Sequence, residues 1–586
     1  MQPEKISAGL LVALEDYQAE GAEALIPLKR SALLVPLGQS LGIISSEESL
    51  KPTRTVVFIY CDEDANLEHL AEYDIYVNQS TGRVRTAILP IDSLDPLSEE
   101  PTVHRIKPSR YLRLLMDVAP AKVNLPQFKS QTGLTGKGVI VGIVDSGIDP
   151  NHPAFQGRIL RIWDQELPGS GVAEGGYGIE LTEGQLTTSR DTVGHGTHVA
   201  GIAAGVDTTY AGVAPGADYV IVKSDLQDAH IADGIRYIFR VAGELGRPAV
   251  VNLSLGGHAD AHDGSDSLSQ IIDAESGPGR IVCCAAGNEG NDNIHGQAVA
   301  LPGNTRTMRF NVPNRGVGVA WLNGWYPGNS TLEVSVRTPD GYVTPFQPVI
   351  TSDNPAQDYT LTDARVVIAT PGPDPANGDH NFFVQLRGVG TLPVKGGVWQ
   401  LRLRNPSTTD ARVDVWTLDG QPIPQVIFTG TSAKDSMKIG SPGASQRAIT
   451  VASYTTKVEY TDIDNQKREV GLDLDDISDF SSEGPLRNGE EKPDLAAPGA
   501  MITSALSADS SPSRGEMVNT KYVVNAGTSM ACPFLAGIVA LLLERDPSLE
   551  PEVVKELLRE NSQIPGQPAG TFDPKWGFGL INALNL

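Results

Sequence analysis

The sequence predicts an α/β protein built on a doubly wound, mostly parallel sheet, with a βαββαβ unit before it and an all-β segment set into it. Three observations carry that prediction. Between Lys137 and Arg280, apolar runs of strand length alternate with helical stretches. From about Leu301 to Val426 the residues alternate apolar and polar instead. The α/β texture then resumes at Ala448 and ends in helices.

Taken in order, residues 1–50 form an N-terminal extension, with Leu10, Leu11 and Leu14 at helical spacing followed by a looser segment. Residues 51–117 form the next domain. TVVFIY (55–60) is a strand and Asn66–Tyr73 a short helix. IYVN (75–78) and RVRTAIL (83–89) are paired strands across Ser80-Thr81-Gly82, whose residues suit a turn. Leu97–Ile106 is read as a second helix and Tyr111–Met116 as the last strand. That order is the ferredoxin-like pattern, which by itself implies no function.

The third domain, 118–300, holds VIVGIV (139–144), YVIVK (219–223), AVVNLSL (249–255) and IVCCAA (281–286). Such continuous apolar runs belong to strands buried on both faces. Helices are expected after His195 and His230. Residues 301–428 carry TLEVSVR (331–337), NFFVQLR (381–387), WQLRLRN (399–405) and RVDVWTL (412–418), with Pro339-Asp340-Gly341 among the turns. This is a half-exposed antiparallel sheet folded as a small sandwich or jelly roll. Residues 429–586 return to α/β with AITVASY (448–454) and helices at Ser529–Glu544 and Glu550–Glu560, so the β segment is an insertion.

Charge narrows the function classes. The chain has 46 Lys and Arg against 71 Asp and Glu, a net charge of −25. Such an acidic chain repels phosphates, which argues against nucleic acid and anionic membrane surfaces as partners. Cys61, Cys283, Cys284 and Cys532 sit in apolar contexts without metal-ligand spacing, so buried free thiols are expected and no metal site. Cys283 and Cys284, adjacent on a strand, point to opposite faces. The N-terminus shows no long apolar stretch or cleavage site of a secretory signal, and no run of 18 apolar residues occurs. A cytoplasmic protein with reduced thiols is the expectation; leaderless export is the alternative.

Three residues carry the chemistry. Asp145, in VGIVDSGID, follows a buried strand and so lies at its C-terminal end, where open α/β sheets form their ligand crevice. His195, in DTVGHGTHVAG, is bracketed by glycines and followed by an apolar helix. Ser529, in NAGTSMACPFLAG, opens a long apolar helix, whose N-terminus offers free N–H groups beside a developing oxyanion. A serine hydroxyl needs an imidazole to take its proton, and the imidazole needs a carboxylate to orient it. Asn288, in CCAAGNEG, adds an amide donor at the end of another buried strand.

The motifs DSGID, GHGTHVAG, AAGNEG and GTSMACP, in that order, resemble those of the subtilisin family of serine proteases. The resemblance covers residues around 118–300 and 430–586, including FSSEGP (480–485), KPDLAAPG (492–499) and GFGLINA (577–583). It implies a subtilisin-like sheet and an acyl-enzyme endopeptidase mechanism. Asp145 would orient the base, His195 would act as general base and acid, Ser529 as nucleophile and Asn288 as oxyanion donor. Ser254-Leu255-Gly256 would be the substrate-binding edge strand, and Ala285-Ala286-Gly287 the wall of the main specificity pocket. The partner is then a protein or peptide substrate, no cofactor is called for, and the 51–117 domain resembles a propeptide acting as an intramolecular inhibitor. With its β insertion, the layout resembles the clostridial germination proteases, which keep the propeptide bound.

The sequence also departs from the family. VDTTYAGVAPG (206–216) is shorter than the matching stretch of calcium-dependent subtilisins, so their strong calcium site is not expected. Cys532 and Phe534 replace the usual small residue and His; Cys532, one turn past Ser529, should pack behind it. The located pocket segments carry no charge, which favours an apolar or unselective preference, and the pocket floor is hidden by the insertion.

Blander readings hold elsewhere. Asp149 and Asp191 are cap or turn residues, His198 is a buried helix residue, and Ser481 and Ser482 are structural. His152, His230 and His295 carry no motif and belong to surface or packing. An α/β-hydrolase shows G-x-S-x-G and the order Ser, Asp, His, whereas this chain has GTSMA and the order Asp, His, Ser; a zinc protease is set aside because no H-E-x-x-H occurs. A pseudoprotease scaffold and a peptide ligase using the same acyl-enzyme are the competing functions.

Overall fold

The computed structural model describes residues 2, 5, 43–44, 54–77, 84–108, 119–314, 317–351, 356–390, 392–418 and 426–586. The helix expected around Leu10–Leu14, the Ser80–Gly82 turn and the strand expected at Tyr111–Met116 lie outside these residues. The chain forms two compact units. One comprises Met1–Leu112, Gly296–Pro373 and His380–Ala433; the other comprises Arg113–His295, Asp374–Asp379 and Lys434–Leu586.

In the first unit, Arg54–Cys61 is the central strand of an antiparallel sheet. Val84–Pro90 pairs with one edge and carries Tyr76–Val77 beyond it; Val103–Pro108 pairs with the other edge. Val57, Ile59, Leu70, Leu89, Leu94, Val103 and Ile106 form its apolar core. The helix expected over Leu97–Ile106 is corrected: a short helix ends at Glu99, and residues from Val103 onward are a strand. Pro101 supplies the reason. A residue before proline is pushed out of the helical region, and Glu100 is extended at φ −62°, ψ 120°. The expected Asn66–Tyr73 helix is a 3₁₀ helix over Glu68–Tyr73.

The same unit contains two further sheets, of six and four strands, between Gly296 and Ala433. Thr305–Val312 pairs antiparallel with Gly397–Arg404, and Val319–Tyr326 with His380–Arg387. Alternate residues of His380–Arg387 and of Leu401–Arg404 are buried, and both sheets contribute to one apolar core containing Met308, Phe310, Phe382, Trp399 and Phe428.

The second unit is built on a ten-stranded sheet. Its main strands are β1 (Ile140–Asp145), β2 (Ile159–Asp164), β3 (Asp218–Lys223), β4 (Ala249–Leu253), β5 (Arg280–Ala285), β6 (Ile449–Thr455) and β7 (Leu495–Ala500). They run parallel in the order β7-β6-β5-β4-β1-β3-β2. Short antiparallel strands close both edges: Ile179–Leu181 beside β2, and Ser562–Gln563 beside Leu580–Ile581. Strand order reverses around β1, the place where such sheets open a crevice at their C-terminal ends.

Five helices matter to the site: α1 (His195–Ala204), α2 (Asp228–Glu244), α3 (Ser267–Glu275), α4 (Thr528–Arg545) and α5 (Pro551–Glu560). Helix α4 packs on β4, β5, β6 and β7, and against α1. Among the described residues it alone is long and apolar enough to cross a membrane, yet 83% of it is buried within the unit, as befits a core helix. The two faces of the sheet carry separate cores, and Cys283 and Cys284 fall on opposite sides of it. The four cysteines are free and buried.

Candidate active site

Asp145 is the last residue of β1, and His195 the first of α1. His195 Nδ1 lies 2.8 and 3.0 Å from the two Asp145 carboxylate oxygens. That contact fixes Nδ1–H as the donor and leaves Nε2 as an acceptor. The Asp145 side chain is only 5% exposed, whereas His195 is 31% exposed and reaches the cleft. Burial disfavours the charged imidazole, but the Asp145 charge, its hydrogen bond and the Asp191 carboxylate outweigh it, so the His195 pKa lies above the usual value.

The approach of α1 to the end of β1 depends on Gly196. A Cβ there would sit 2.2 Å from Gly147 O and 3.1 Å from the Asp145 Cβ. The start of α1 has no capping side chain at Gly194. Asp191 serves instead, accepting from Gly194 N at 2.8 Å and from Thr197 N at 2.9 Å. Ser146 ties the two segments together, accepting from Gly196 N at 3.0 Å and donating to Asp191 at 2.9 Å. Asp191 thus caps the helix that presents His195. His198, one turn on, is fully buried beside Ile502 O at 3.1 Å, and burial followed by the His195 charge pushes its pKa down to about 3.

Ser529, in the first turn of α4, lines the same cleft. Four residues later Pro533 interrupts the helical hydrogen bonds, having no N–H to offer the Ser529 carbonyl. Ser254 Oγ fills that gap, donating to Ser529 O at 2.8 Å while accepting from Asn252 Nδ2 at 2.9 Å. The Ser529 hydroxyl in turn donates to Ser254 O at 3.2 Å, so in this rotamer it is not directed at His195. Cys532 is fully buried behind it, with Sγ 3.7 Å from Leu253 O.

Asn288 is exposed, but its amide is oriented. Its Oδ1 accepts from Thr528 N at 2.9 Å and Thr528 Oγ1 at 3.1 Å, which leaves Nδ2 as the free donor group. All ten residues singled out from the sequence line one cleft of about 420 Å³: Asp145, His195, Ser529, Asn288, Ser254, Leu255, Gly256, Ala285, Ala286 and Gly287. Among the described residues no His, Cys, Asp and Glu cluster is arranged to hold a metal.

The sequence model of the subtilase family matches residues 136–388 and 423–579. The chain belongs to the subtilase family. It is a subtilisin-like serine endopeptidase. The serine protease AprX of Bacillus subtilis is 25% identical over 83% of this chain and 75% of its own length. Thermitase of Thermoactinomyces vulgaris is 30% identical over 48% of this chain and 92% of its own. The structure of the Clostridium perfringens CspB protease superposes with a TM-score of 0.66 at 24% identity, over 79% of this chain and 95% of that one, a likeness of fold.

The cleft of this subtilase also contains residues the sequence left unnoticed. Gly440 and Ser441, beyond the β segment, line the pocket. A Cβ on Gly440 would lie 2.1 Å from Gly257 O, so only glycine fits there. Beyond the uncharged segments located from the sequence, Glu289 and His258 line the cleft as well. Glu289 lay inside the quoted AAGNEG motif, but only the fold shows its carboxylate turning back into the cleft. A Cβ on Gly287, whose φ is +109°, would meet that carboxylate and Ser482 Oγ at 2.7 Å each.

The Ser254–Pro533 arrangement is testable. Ser254→Ala should destabilise the protein by about 1–3 kcal/mol in urea unfolding, because Ser529 O loses its donor. In a Pro533→Ala background the helix supplies its own N–H, so the same substitution should cost less, with a coupling of about 1 kcal/mol. Equal costs in both backgrounds would contradict the arrangement.

Proposed function

We propose that peptide bonds are cleaved through an acyl-enzyme by Asp145, His195 and Ser529, and that the chain is made as a self-processing zymogen. The observation that carries the reading is the paired contact of His195 Nδ1 with the buried Asp145 carboxylate, in a cleft shared with the first turn of α4. The cycle begins when the Ser529 hydroxyl swings from Ser254 O toward His195 Nε2. The imidazole takes its proton as Oγ attacks the scissile carbonyl, and Asp145 stabilises the resulting cation. Asn288 Nδ2 and the Ser529 backbone N–H receive the oxyanion. His195 then protonates the leaving amine, and water deacylates the enzyme.

The substrate is a protein or peptide in extended form, laid along Ser254-Leu255-Gly256 as an added strand. Leu255 is half-buried and Gly256 exposed, which supports that use. The antiparallel sheet within 54–108 has the strand order of a ferredoxin-like domain, which supports its assignment as a propeptide and intramolecular inhibitor. The sandwich between Gly296 and Ala433 is an insertion between β5 and β6. Four free, buried thiols suit a reducing compartment such as the cytoplasm.

Three outcomes are expected. The kcat/KM for a peptide substrate should rise with pH along a limb centred above about 6.5, because the active form is the neutral imidazole and the charged one is favoured in the fold. A flat profile from pH 5 to 8 would remove His195 as the base. Asn288→Ala should lower kcat by about 10²–10³, the magnitude established for subtilisin itself; unchanged kcat would remove the oxyanion assignment. For processing, intact masses of wild type and Ser529→Ala should differ, with only wild type losing an N-terminal fragment that ends near residues 105–125. Two full-length proteins would contradict self-processing.

A further inference from the structure

Two titratable side chains meet in the wall of the cleft. Glu289 and His258 both line the cleft, with side chains 21% and 5% exposed and His258 Nε2 3.4 Å from Glu289 Oε2. Behind His258 lies His262, fully buried, its ring stacked at 5.3 Å and 9°. His258 Nδ1 is 3.0 Å from His262 Nε2. His262 Nδ1 faces Asp260 O at 3.3 Å and Asp260 Oδ1 at 3.5 Å.

Hydrogen positions follow from these contacts. Since Nδ1 of His262 meets acceptors, it carries the hydrogen, and Nε2 of the neutral ring is an acceptor. Burial, followed by the charges of His258 and His295, drives the His262 pKa well below its usual value, which agrees with a neutral ring. His258 Nδ1 must then donate to His262 Nε2. A neutral His258 would turn a bare Nε2 lone pair toward the Glu289 carboxylate, acceptor against acceptor. Only the doubly protonated ring satisfies both sides.

We propose that His258 is held as an imidazolium that cancels the Glu289 carboxylate inside the pocket, so that the pocket discriminates against a cationic P1 side chain. This inference rests on the peptidase reading of the cleft. Glu289 supports it from its own side. Burial would raise its pKa, yet the His258 hydrogen bond and charge, the Ser482 hydroxyl at 2.9 Å and the Asn288 N–H at 2.8 Å bring it down to about 2. A bare carboxylate at the pocket wall would attract Lys or Arg; one already paired with a cation does not. Near the pair lies Asp260, which accepts from Ser441 N at 2.9 Å and whose carboxyl pKa burial and the Asp266 charge push up to about 7, with His295 and Arg487 beside His262.

The pair can be tested apart from catalysis. In full-length Ser529→Ala with labelled histidines, the NMR resonance lost in His258→Gln should titrate at least about one unit above the ordinary 6.5. Glu289→Gln should lower that midpoint by more than about one unit, as loss of an opposite charge requires. A midpoint at or below 6.5 that Glu289→Gln leaves in place would overturn the proposal. In the active protein, P1-Lys and P1-Leu tetrapeptide p-nitroanilides give the selectivity readout. His258→Gln should raise the Lys/Leu ratio of kcat/KM by about tenfold, the effect of one uncompensated, partly screened charge, and should not do so when Glu289 is already Gln. The same rise in both backgrounds, or none in either, would also overturn it. Should wild type cleave neither substrate, the peptidase reading fails while the titration still decides the pair.

Discussion

Everything at the site depends on how closely helix α1 can approach the end of strand β1. The strand order reverses at β1, so the crevice forms there whatever the side chains are. A crevice becomes a proton-transfer device only if an imidazole can reach the carboxylate at its edge. Gly196 removes the one Cβ that would block the approach, and Ser146 and Asp191 lock the segments at that distance. The 2.8 Å contact between His195 and Asp145 is the consequence. Substituting larger residues here would act on catalysis through geometry, without touching a reacting group.

The second half of the cleft is organised by a defect in a helix. Pro533 deprives Ser529 O of its helical partner, and Ser254 supplies the replacement. The residue that begins the proposed substrate strand is therefore bonded directly to the proposed nucleophile. The packing of α4 against four strands fixes where that bond is made. Local backbone chemistry and tertiary packing thus specify one relation between substrate path and nucleophile, which is what near-attack positioning requires.

Much of this was legible in the sequence because the relevant residues sit in short, ordered motifs that end buried strands or open buried helices. Asp145, His195, Ser529 and Asn288 each fall at such a junction, and junctions of a parallel sheet converge at one edge. The helix expected over Leu97–Ile106 went astray because its apolar residues suit either period, and Pro101 decided the matter locally. The pocket charge was hidden for a different reason. His258 lies two residues past the quoted edge strand, in a segment without motif, and pairs with Glu289 across more than thirty positions. Gly440 and Ser441 reach the pocket only after the chain has passed through an entire β segment. Pairings of that range are set by topology and leave no periodic trace.

The measurement that tests the account most directly is labelling of the full-length protein with a fluorophosphonate, followed by mass spectrometry of its peptides. A hydroxyl is phosphonylated quickly only when a neighbouring base takes its proton. The account predicts a single adduct on Ser529 in wild type, lost in His195→Ala although Ser529 is still present. No adduct at Ser529, or equal labelling with and without His195, would contradict it.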